Sequence, residues 1–262
     1  MKGIVGAIAG DIIGSTREFN PIKTKNFHLF NRHSQFTDDT VMTLAIAKWL
    51  CEEKNSKEVL IRIVKDFGNR YPNAGYGGMF KNWLSQKSPK SYGSWANGSA
   101  MRVSPCAWGA ESLEEAQKLA KLSSIITHDH PEGVKGALAT SDAIYLSRVG
   151  ASKDEIREHI EVRYGYDLNR TVDEIRPVYS FDVSCAGSIP ESIICFLDAK
   201  DFEDTIRNAI SLGGDADTQA AIAGSIAGAY WDVPKNIAYK SIYRLDYFLL
   251  NAFIDFEEIF MD

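Results

Sequence analysis

Two short acidic clusters near opposite ends of the chain carry the residue types that bind divalent cations. The first is Thr-Asp-Asp-Thr at residues 37–40, and the second is Asp-Ala-Asp-Thr at 215–218, directly after two glycines. Each cluster supplies two carboxylates and at least one hydroxyl, and such hard oxygen atoms are the ligands that Mg²⁺ and Mn²⁺ prefer. If the fold brings the clusters together, they predict an all-oxygen site for two divalent ions.

Helix capping is the simpler explanation for any one of these residues. Asp and Thr are common at helix N-termini, where they cap free N–H groups and favour the positive end of the helix dipole. Only one side chain can occupy the cap position, so the pairs Asp38 with Asp39 and Asp215 with Asp217 exceed what capping requires. Four buried carboxylates are unstable unless a cation neutralises them, and this excess favours metal binding.

Three other residues could take part in chemistry, and each has a second interpretation. Glu18 could be an acid/base or an ordinary surface residue. His128, in Thr-His-Asp-His-Pro-Glu at 127–132, could bind a metal or donate a hydrogen bond to a phosphate. Arg102 could contact a phosphate or pair with a buried carboxylate.

Composition limits the class of protein. The 262 residues are 45% hydrophobic with a net charge of -6, which predicts one globular domain over 1–262 and argues against a surface for the nucleic-acid backbone. The four cysteines are far apart, so we expect reduced thiols in a cytoplasmic protein. No apolar run reaches the roughly 20 residues of a membrane helix, and Asp11 interrupts the first run, which predicts a buried helix ending in a functional Asp.

Periodicity and capping signals predict an all-α chain. Helices are expected over 39–54, over 131–149 with Gly150 as its C-cap, over 201–212 and from 215 to 230. Capping boxes are expected at Ser112 with Glu115 and at Ser152 with Glu155. In the last of these helices small residues recur every four positions, which allows another helix to approach closely. No alternating pattern predicts a strand, and 178–183 is the nearest candidate.

Taken together, these segments resemble the ADP-ribosylglycohydrolase family, which includes dinitrogenase reductase-activating glycohydrolase. Five motifs in the same order carry the resemblance: residues 6–15 (GAIAGDIIGS), 36–40 (FTDDT), 97–102 (NGSAMR), 127–132 (THDHPE) and 213–218 (GGDADT). They extend over nearly the whole chain. The resemblance implies a compact orthogonal helical bundle with two Mg²⁺ or Mn²⁺ ions at the base of a cleft.

The resemblance also implies roles for individual residues. The implied metal ligands are Thr37, Asp38, Asp39, Asp215, Asp217 and Thr218. Glu18 matches a catalytic glutamate that gates the metal site in serine-directed members, and Asp38 or Asp39 could be the base in arginine-directed members. The implied contacts to the diphosphate, ribose and adenosine of the substrate are Ser94, Trp95, Asn97, Gly98, Ser99 and His128. Two residues depart from the family pattern: Ala96 stands where the family usually has Gly, and Asp232 stands where a Gly often follows the last long helix.

Hydrolysis of the glycosidic bond between ADP-ribose and a protein side chain or small acceptor is therefore the leading hypothesis. A protein that binds ADP-ribose or a nucleotide without cleaving it is the rival from another class, and a two-metal phosphoesterase is a further enzymatic alternative. Arginine, serine and small-molecule acceptors stay open, as does ADP-ribosylated nucleic acid. The sequence does not decide between Mg²⁺ and Mn²⁺ or between monomer and dimer.

Overall fold

The computed structural model describes residues 1–261, in which helices are joined by loops. In chain order the helices are α1 (Val5–Gly14), α2 (Asp38–Glu53), α3 (Lys57–Arg70), α4 (Gly78–Ser85), α5 (Ser104–Trp108), α6 (Leu113–Ile125), α7 (Pro131–Arg148), α8 (Lys153–Tyr164), α9 (Val172–Ile175), α10 (Cys185–Leu197), α11 (Phe202–Ser211), α12 (Ala216–Trp231), α13 (Lys235–Ile242) and α14 (Tyr247–Phe260). A short 3₁₀ helix, Asn97–Ser99, lies between α4 and α5. These residues contain no β-strand, so the predicted all-α class is confirmed.

The predicted helices begin and end within one residue of their observed counterparts α2, α7, α11 and α12. Segment 178–183 does not form a strand. Directly after it, Ser184 makes an isolated antiparallel bridge with Ala96. Around this bridge the Asn97 N–H donates to the Val183 carbonyl (2.8 Å) and the Cys185 N–H donates to the Trp95 carbonyl (3.0 Å), so the segment supports the loop at residues 92–99.

One of the two predicted capping boxes is confirmed. Ser152 and Glu155 satisfy each other's backbone N–H at the start of α8. At the start of α6 the Ser112 hydroxyl accepts from the Glu115 N–H, but the Glu115 carboxylate accepts from the Glu111 N–H (2.8 Å) and from Lys54 Nζ (2.8 Å). The prediction of a reciprocal box there is wrong because these two donors hold the Glu115 side chain away from the Ser112 backbone.

Helices α1 and α12 pack with their backbones in contact. A Cβ atom added at Gly10 would lie 2.0 Å from the Ala220 carbonyl oxygen, and one added at Gly6 would lie 2.4 Å from the Gly224 carbonyl oxygen. Glycine repeats every four residues along α1, so one face of that helix has no side chains and fits the small-residue face of α12. This contact places the start of α12 beside the end of α1.

A long connection without regular secondary structure, residues 15–37, joins α1 to α2 and carries Glu18. Several basic side chains fix it to the rest of the molecule. Lys23 Nζ donates to the carbonyls of Tyr179 (2.5 Å) and Leu212, and Arg207 donates to the carbonyls of Lys25 and Phe27 (both 2.8 Å). The connection is therefore anchored over its middle, just past Glu18.

One contiguous cluster of buried apolar side chains draws on helices from α1 to α14. The four cysteines are free thiols. Within residues 1–261, no helix combines the length and apolar character needed to cross a membrane.

Candidate functional site

The acidic clusters and two glycine-rich loops, the first at residues 73–78 and the second at 92–99, line a single cleft of about 480 Å³. Most residues predicted for the site lie on its wall, namely Glu18, Asp38, Asp39, Ser94, Trp95, Asn97, Gly98, His128, Asp215, Asp217 and Thr218. Thr37 and Ser99 lie behind the wall. The Ser99 hydroxyl donates to the Gly133 carbonyl (2.7 Å), so Ser99 supports the loop from within the core.

The first acidic cluster lies at the N-terminus of α2, where Thr37 is the N-cap and accepts a hydrogen bond from the Asp39 N–H (3.3 Å). Behind it lies Asp11 of α1, which is fully buried. Its carboxylate accepts from the backbone N–H and the hydroxyl of both Thr37 and Thr40. Because the Thr37 hydroxyl hydrogen points to Asp11, an oxygen lone pair stays available to a cation.

The second acidic cluster begins α12. Gly213 precedes it with φ of +66°, a backbone conformation that favours glycine, and turns the chain out of α11. The Asp215 carboxylate accepts a hydrogen bond from the Asn97 side-chain amide (2.8 Å), which ties the cluster to the second glycine-rich loop. Asp217 accepts from the Thr218 N–H (3.0 Å).

The two clusters meet in the cleft. The Thr218 hydroxyl donates to Asp39 Oδ2 (3.2 Å), a contact between residues 179 positions apart in sequence. Carboxylate oxygens of Glu18, Asp215 and Asp217 lie within 4.8 Å of one another. The convergence predicted from the sequence is therefore present, and Glu18 joins it.

Burial and mutual repulsion raise the pKa of every carboxyl group in this cluster. Burial, with the charge of Asp215 as a smaller cause, raises the pKa of Glu18 to about 7. Burial, with Asp11 next, raises the pKa of Asp38 to about 8. The pKa values of Asp39 and Asp217 are raised well above the ordinary range, first by burial and then by neighbouring carboxylates.

The donor set fits divalent cations. Asp39 Oδ1 is buried and has no hydrogen-bond partner, and no basic side chain among residues 1–261 forms an ion pair with Glu18, Asp38, Asp39, Asp215 or Asp217. Several carboxylates in one pocket without a counter-charge are unfavourable unless protons or cations compensate them. Their carboxylate and hydroxyl oxygens are the hard ligands that Mg²⁺ and Mn²⁺ bind.

The second glycine-rich loop lines the cleft next to the second acidic cluster. Asn97 is buried and Ser94 faces the cleft, while the Trp95 side chain is 50% exposed at the rim. Ala96, one of the two departures from the family pattern, has φ of -75°, which any residue adopts, so glycine is not required there. Asp232, the other departure, adopts φ of +64° just after α12, a conformation that is unusual outside glycine.

His128 and Arg102 lie at the end of the cleft near Gly98. Both are buried, and burial lowers the pKa of His128 well below its usual value, with the Arg102 charge as a second cause. Arg102 donates from Nη2 to the Ser123 carbonyl (2.7 Å) and the Thr127 hydroxyl (2.8 Å). The sequence suggested that Arg102 contacts a phosphate or pairs with a buried carboxylate. Among residues 1–261 it forms no ion pair with a carboxylate, so the second interpretation is wrong.

The sequence did not single out several residues of the site. Asp11 was predicted to be functional, but its partners Thr37 and Thr40 were not foreseen. Phe181 and Val183 line the cleft and are exposed, although their segment was considered only as a strand candidate. The alternation of Phe181 and Val183 in this short segment is the sequence signal that could have indicated them.

Comparisons with known proteins agree with this geometry. The family model for ADP-ribosylglycohydrolase matches residues 1–240. Human ADP-ribosylhydrolase ARH3 is 29% identical over 87% of this chain and 84% of its own length, and the mouse protein is 30% identical over 75% and 69%. ADP-ribosylarginine hydrolase Tri1 of Pseudomonas putida is 26% identical over 88% and 70%.

A solved structure described as an ADP-ribosylglycohydrolase-related protein complex shares the fold. It superposes with a TM-score of 0.74 over 98% of this chain and 95% of that one, at 21% identity. The match of the family model over most of the chain decides the classification, and the fold agrees with it. The chain belongs to the ADP-ribosylglycohydrolase family.

Proposed function

We propose that this protein hydrolyses the glycosidic bond between ADP-ribose and an acceptor, and that two divalent cations, Mg²⁺ or Mn²⁺, take part. The observation that carries the proposal is the meeting of two distant acidic clusters and Glu18 in one cleft without a counter-charge. Membership of the ADP-ribosylglycohydrolase family and the similarity to two ADP-ribosyl hydrolases support the choice of substrate.

The residues that would hold the cations are Thr37, Asp38, Asp39, Asp215, Asp217 and Thr218. A pair of divalent ions supplies ligand positions for ribose hydroxyls and water and stabilises negative charge that develops during hydrolysis. Thr37 is set back from the wall, and Asp11 orients its hydroxyl, so this ligand would bind from behind the first cluster.

Glu18 is the residue best placed to move a proton. Its carboxylate lies beside Asp215 and Asp217, and in the metal-free protein burial raises its pKa to about 7, so it is placed to accept or donate a proton next to the proposed cations. Hydrolysis breaks the bond from the ribose anomeric carbon to the acceptor atom, adds the hydroxyl of water to that carbon and returns a proton to the acceptor. Glu18, or an aspartate of the first cluster, would carry that proton.

The second glycine-rich loop and the neighbouring residue Phe181 suit the rest of ADP-ribose. Trp95 and Phe181 present apolar surface at the rim, where a base can stack. Ser94, Gly98 and His128 line the same cleft and would face the diphosphate. Ser99 would act indirectly, because it supports the loop from behind.

The acceptor remains to be identified by experiment. A panel of arginine-linked, serine-linked and O-acetyl ADP-ribose substrates should be incubated with Mg²⁺ or Mn²⁺ and the products read by mass spectrometry. Release of ADP-ribose supports the proposal and names the acceptor. Release of AMP or phosphate with the glycosidic bond intact would identify a phosphoesterase, and binding without any product would identify a binding protein.

A further inference from the structure

Three buried side chains form a hydrogen-bonded chain that ends at the cleft. Arg102 Nη2 donates to Thr127 Oγ1 (2.8 Å), and Thr127 Oγ1 lies 2.7 Å from His128 Nδ1. Thr127 is fully buried, and Arg102 is only 1% exposed. Because Thr127 is fully buried, its hydroxyl hydrogen needs an acceptor within the protein.

The direction of these hydrogen bonds can be worked out from the groups involved. A guanidinium has no acceptor, so Arg102 is the donor and the Thr127 oxygen accepts. Thr127 has one hydrogen left, and His128 Nδ1 is the only acceptor that the described residues offer it. If Nδ1 carried a hydrogen instead, the buried Thr127 hydroxyl would have no acceptor, which is costly. The hydrogen-bond network thus assigns Nδ1 as an acceptor.

The other imidazole nitrogen then carries the hydrogen. Burial and the nearby Arg102 charge lower the pKa of His128, so the ring is neutral, and a neutral ring with Nδ1 as acceptor is protonated on Nε2. No described residue accepts a hydrogen bond from Nε2. A Cβ atom added at Gly98 would lie 3.0 Å from Nε2, so glycine at this position leaves that nitrogen open to the cleft.

We propose that Arg102 and Thr127 are positioning residues that hold His128 with its hydrogen on Nε2, so that His128 donates a hydrogen bond to a diphosphate oxygen of ADP-ribose. The choice of ligand rests on the proposed function. The guanidinium, which has no carboxylate partner among residues 1–261, adds positive potential that favours an anionic group at this end of the cleft.

The protonated nitrogen can be measured directly. Long-range ¹H–¹⁵N spectra distinguish a protonated from an unprotonated imidazole nitrogen, and the chain has only five histidines. A His128→Gln variant identifies the signal. We expect the hydrogen on Nε2 in the wild-type protein and a mixture of tautomers in Thr127→Val, with Thr127→Ser restoring the wild-type spectrum. A hydrogen on Nδ1 in the wild type would overturn the proposal, and this test does not require any variant at Thr127 to fold.

Binding provides the second readout, measured by calorimetry with Mg²⁺ present. We expect Thr127→Val to weaken ADP-ribose binding about tenfold, the size expected for one hydrogen bond to a charged group, and to leave adenosine binding nearly unchanged. Thr140→Val is the matched control, because Thr140 is a buried threonine on α7 outside the cleft lining, whose hydroxyl has no partner. Wild-type affinity for ADP-ribose in Thr127→Val would contradict the proposal.

The outcomes separate this inference from the proposed function. If the wild-type protein binds ADP-ribose but releases no product, the hydrolase proposal fails while the role of Thr127 is still tested by affinity. If the wild-type protein does not bind ADP-ribose, the diphosphate part of the inference fails together with the proposed function. The spectra then still decide whether Arg102 and Thr127 set the protonation of His128.

Discussion

The two acidic clusters have similar sequences and the same place at a helix N-terminus, but the fold supports them in different ways. The first depends on a single buried carboxylate, Asp11, which accepts four hydrogen bonds from Thr37 and Thr40. The second depends on the close packing of α1 against α12 and on one amide, Asn97. Similar ligands can thus be positioned either by a polar support or by backbone packing.

Removing a carboxylate from either cluster should have the largest effect. We expect Asp39→Ala and Asp217→Ala each to reduce hydrolysis of an ADP-ribosylated substrate below detection, because each is proposed to bind a cation. Treatment with a chelator should do the same to the wild-type protein, and added Mg²⁺ or Mn²⁺ should restore the rate. Asp66→Ala, at an exposed position of α3, is the control. Full activity in the absence of metal would contradict the proposal for both clusters.

Changing the support of the first cluster should have the next largest effect. In Asp11→Asn an NH₂ group replaces one carboxylate oxygen. The hydrogens of this NH₂ group would face the donors on Thr37 or Thr40. We expect metal affinity, measured by calorimetry, to fall about 10–100-fold, the usual size for a group that orients metal ligands. Asp142→Asn is the matched control, since Asp142 is also fully buried and hydrogen-bonded but does not line the cleft. Equal losses of affinity in both variants would indicate a general loss of stability.

Changing the support of the second cluster should mainly lower stability. In Gly10→Ala the new methyl group would meet the Ala220 carbonyl, so α1 and α12 must move apart. We expect the free energy of unfolding, from urea titration, to fall by about 1–3 kcal/mol, as for other overpacked contacts. Gly78→Ala is the control, because a Cβ atom there meets nothing within 4 Å. A wild-type unfolding midpoint in Gly10→Ala would show that this contact is not needed.

The smallest expected effect is a change in the stability of the metal-free protein with pH. This change reports on both acidic clusters together. Glu18 and Asp38 have pKa values raised to about 7 and about 8, so the folded state holds protons that the unfolded state releases. The free energy of unfolding therefore decreases as the pH rises from the ordinary carboxyl pKa to about pH 8. We expect the melting temperature to fall by a few degrees over this range and bound metal to oppose the fall.

Asp38→Asn is the informative variant for this pH test. It removes one of the carboxyl groups whose raised pKa contributes to this pH dependence, so the fall in melting temperature should be shallower than in the wild type. A melting temperature of the metal-free wild type that rises toward pH 8 would contradict the assigned direction of these pKa shifts.

The helices and the acidic clusters could be predicted from the sequence because they depend on local chemistry. Apolar spacing, Pro131 and Gly150 define α7, and residue type alone identifies the metal-binding oxygens. The hydrogen bonds between residues that are distant in sequence could not be predicted. Nothing near Asp11 in the sequence indicates that Thr37 and Thr40, 26 and 29 residues away, donate to it.

The direction of individual side chains could not be predicted from the sequence either. Ser99 belongs to a motif whose neighbours face the cleft, yet the 3₁₀ turn at Asn97–Ser99 points its hydroxyl to the Gly133 carbonyl. Glu115 has the spacing of a capping box, but Lys54 lies close enough in space to hold it elsewhere. Both outcomes depend on residues that only the folded chain brings together.

The Lys23 side chain links the connection that carries Glu18 to the second acidic cluster. It joins the connection that carries Glu18 to two other segments, through the carbonyls of Leu212 and Tyr179. Its methylene carbons also cross Gly213, the residue that turns the chain into the second acidic cluster. Displacing the connection at Lys23 would break its contacts with both segments together, so the position of Glu18 is tied to that of the turn before the second acidic cluster.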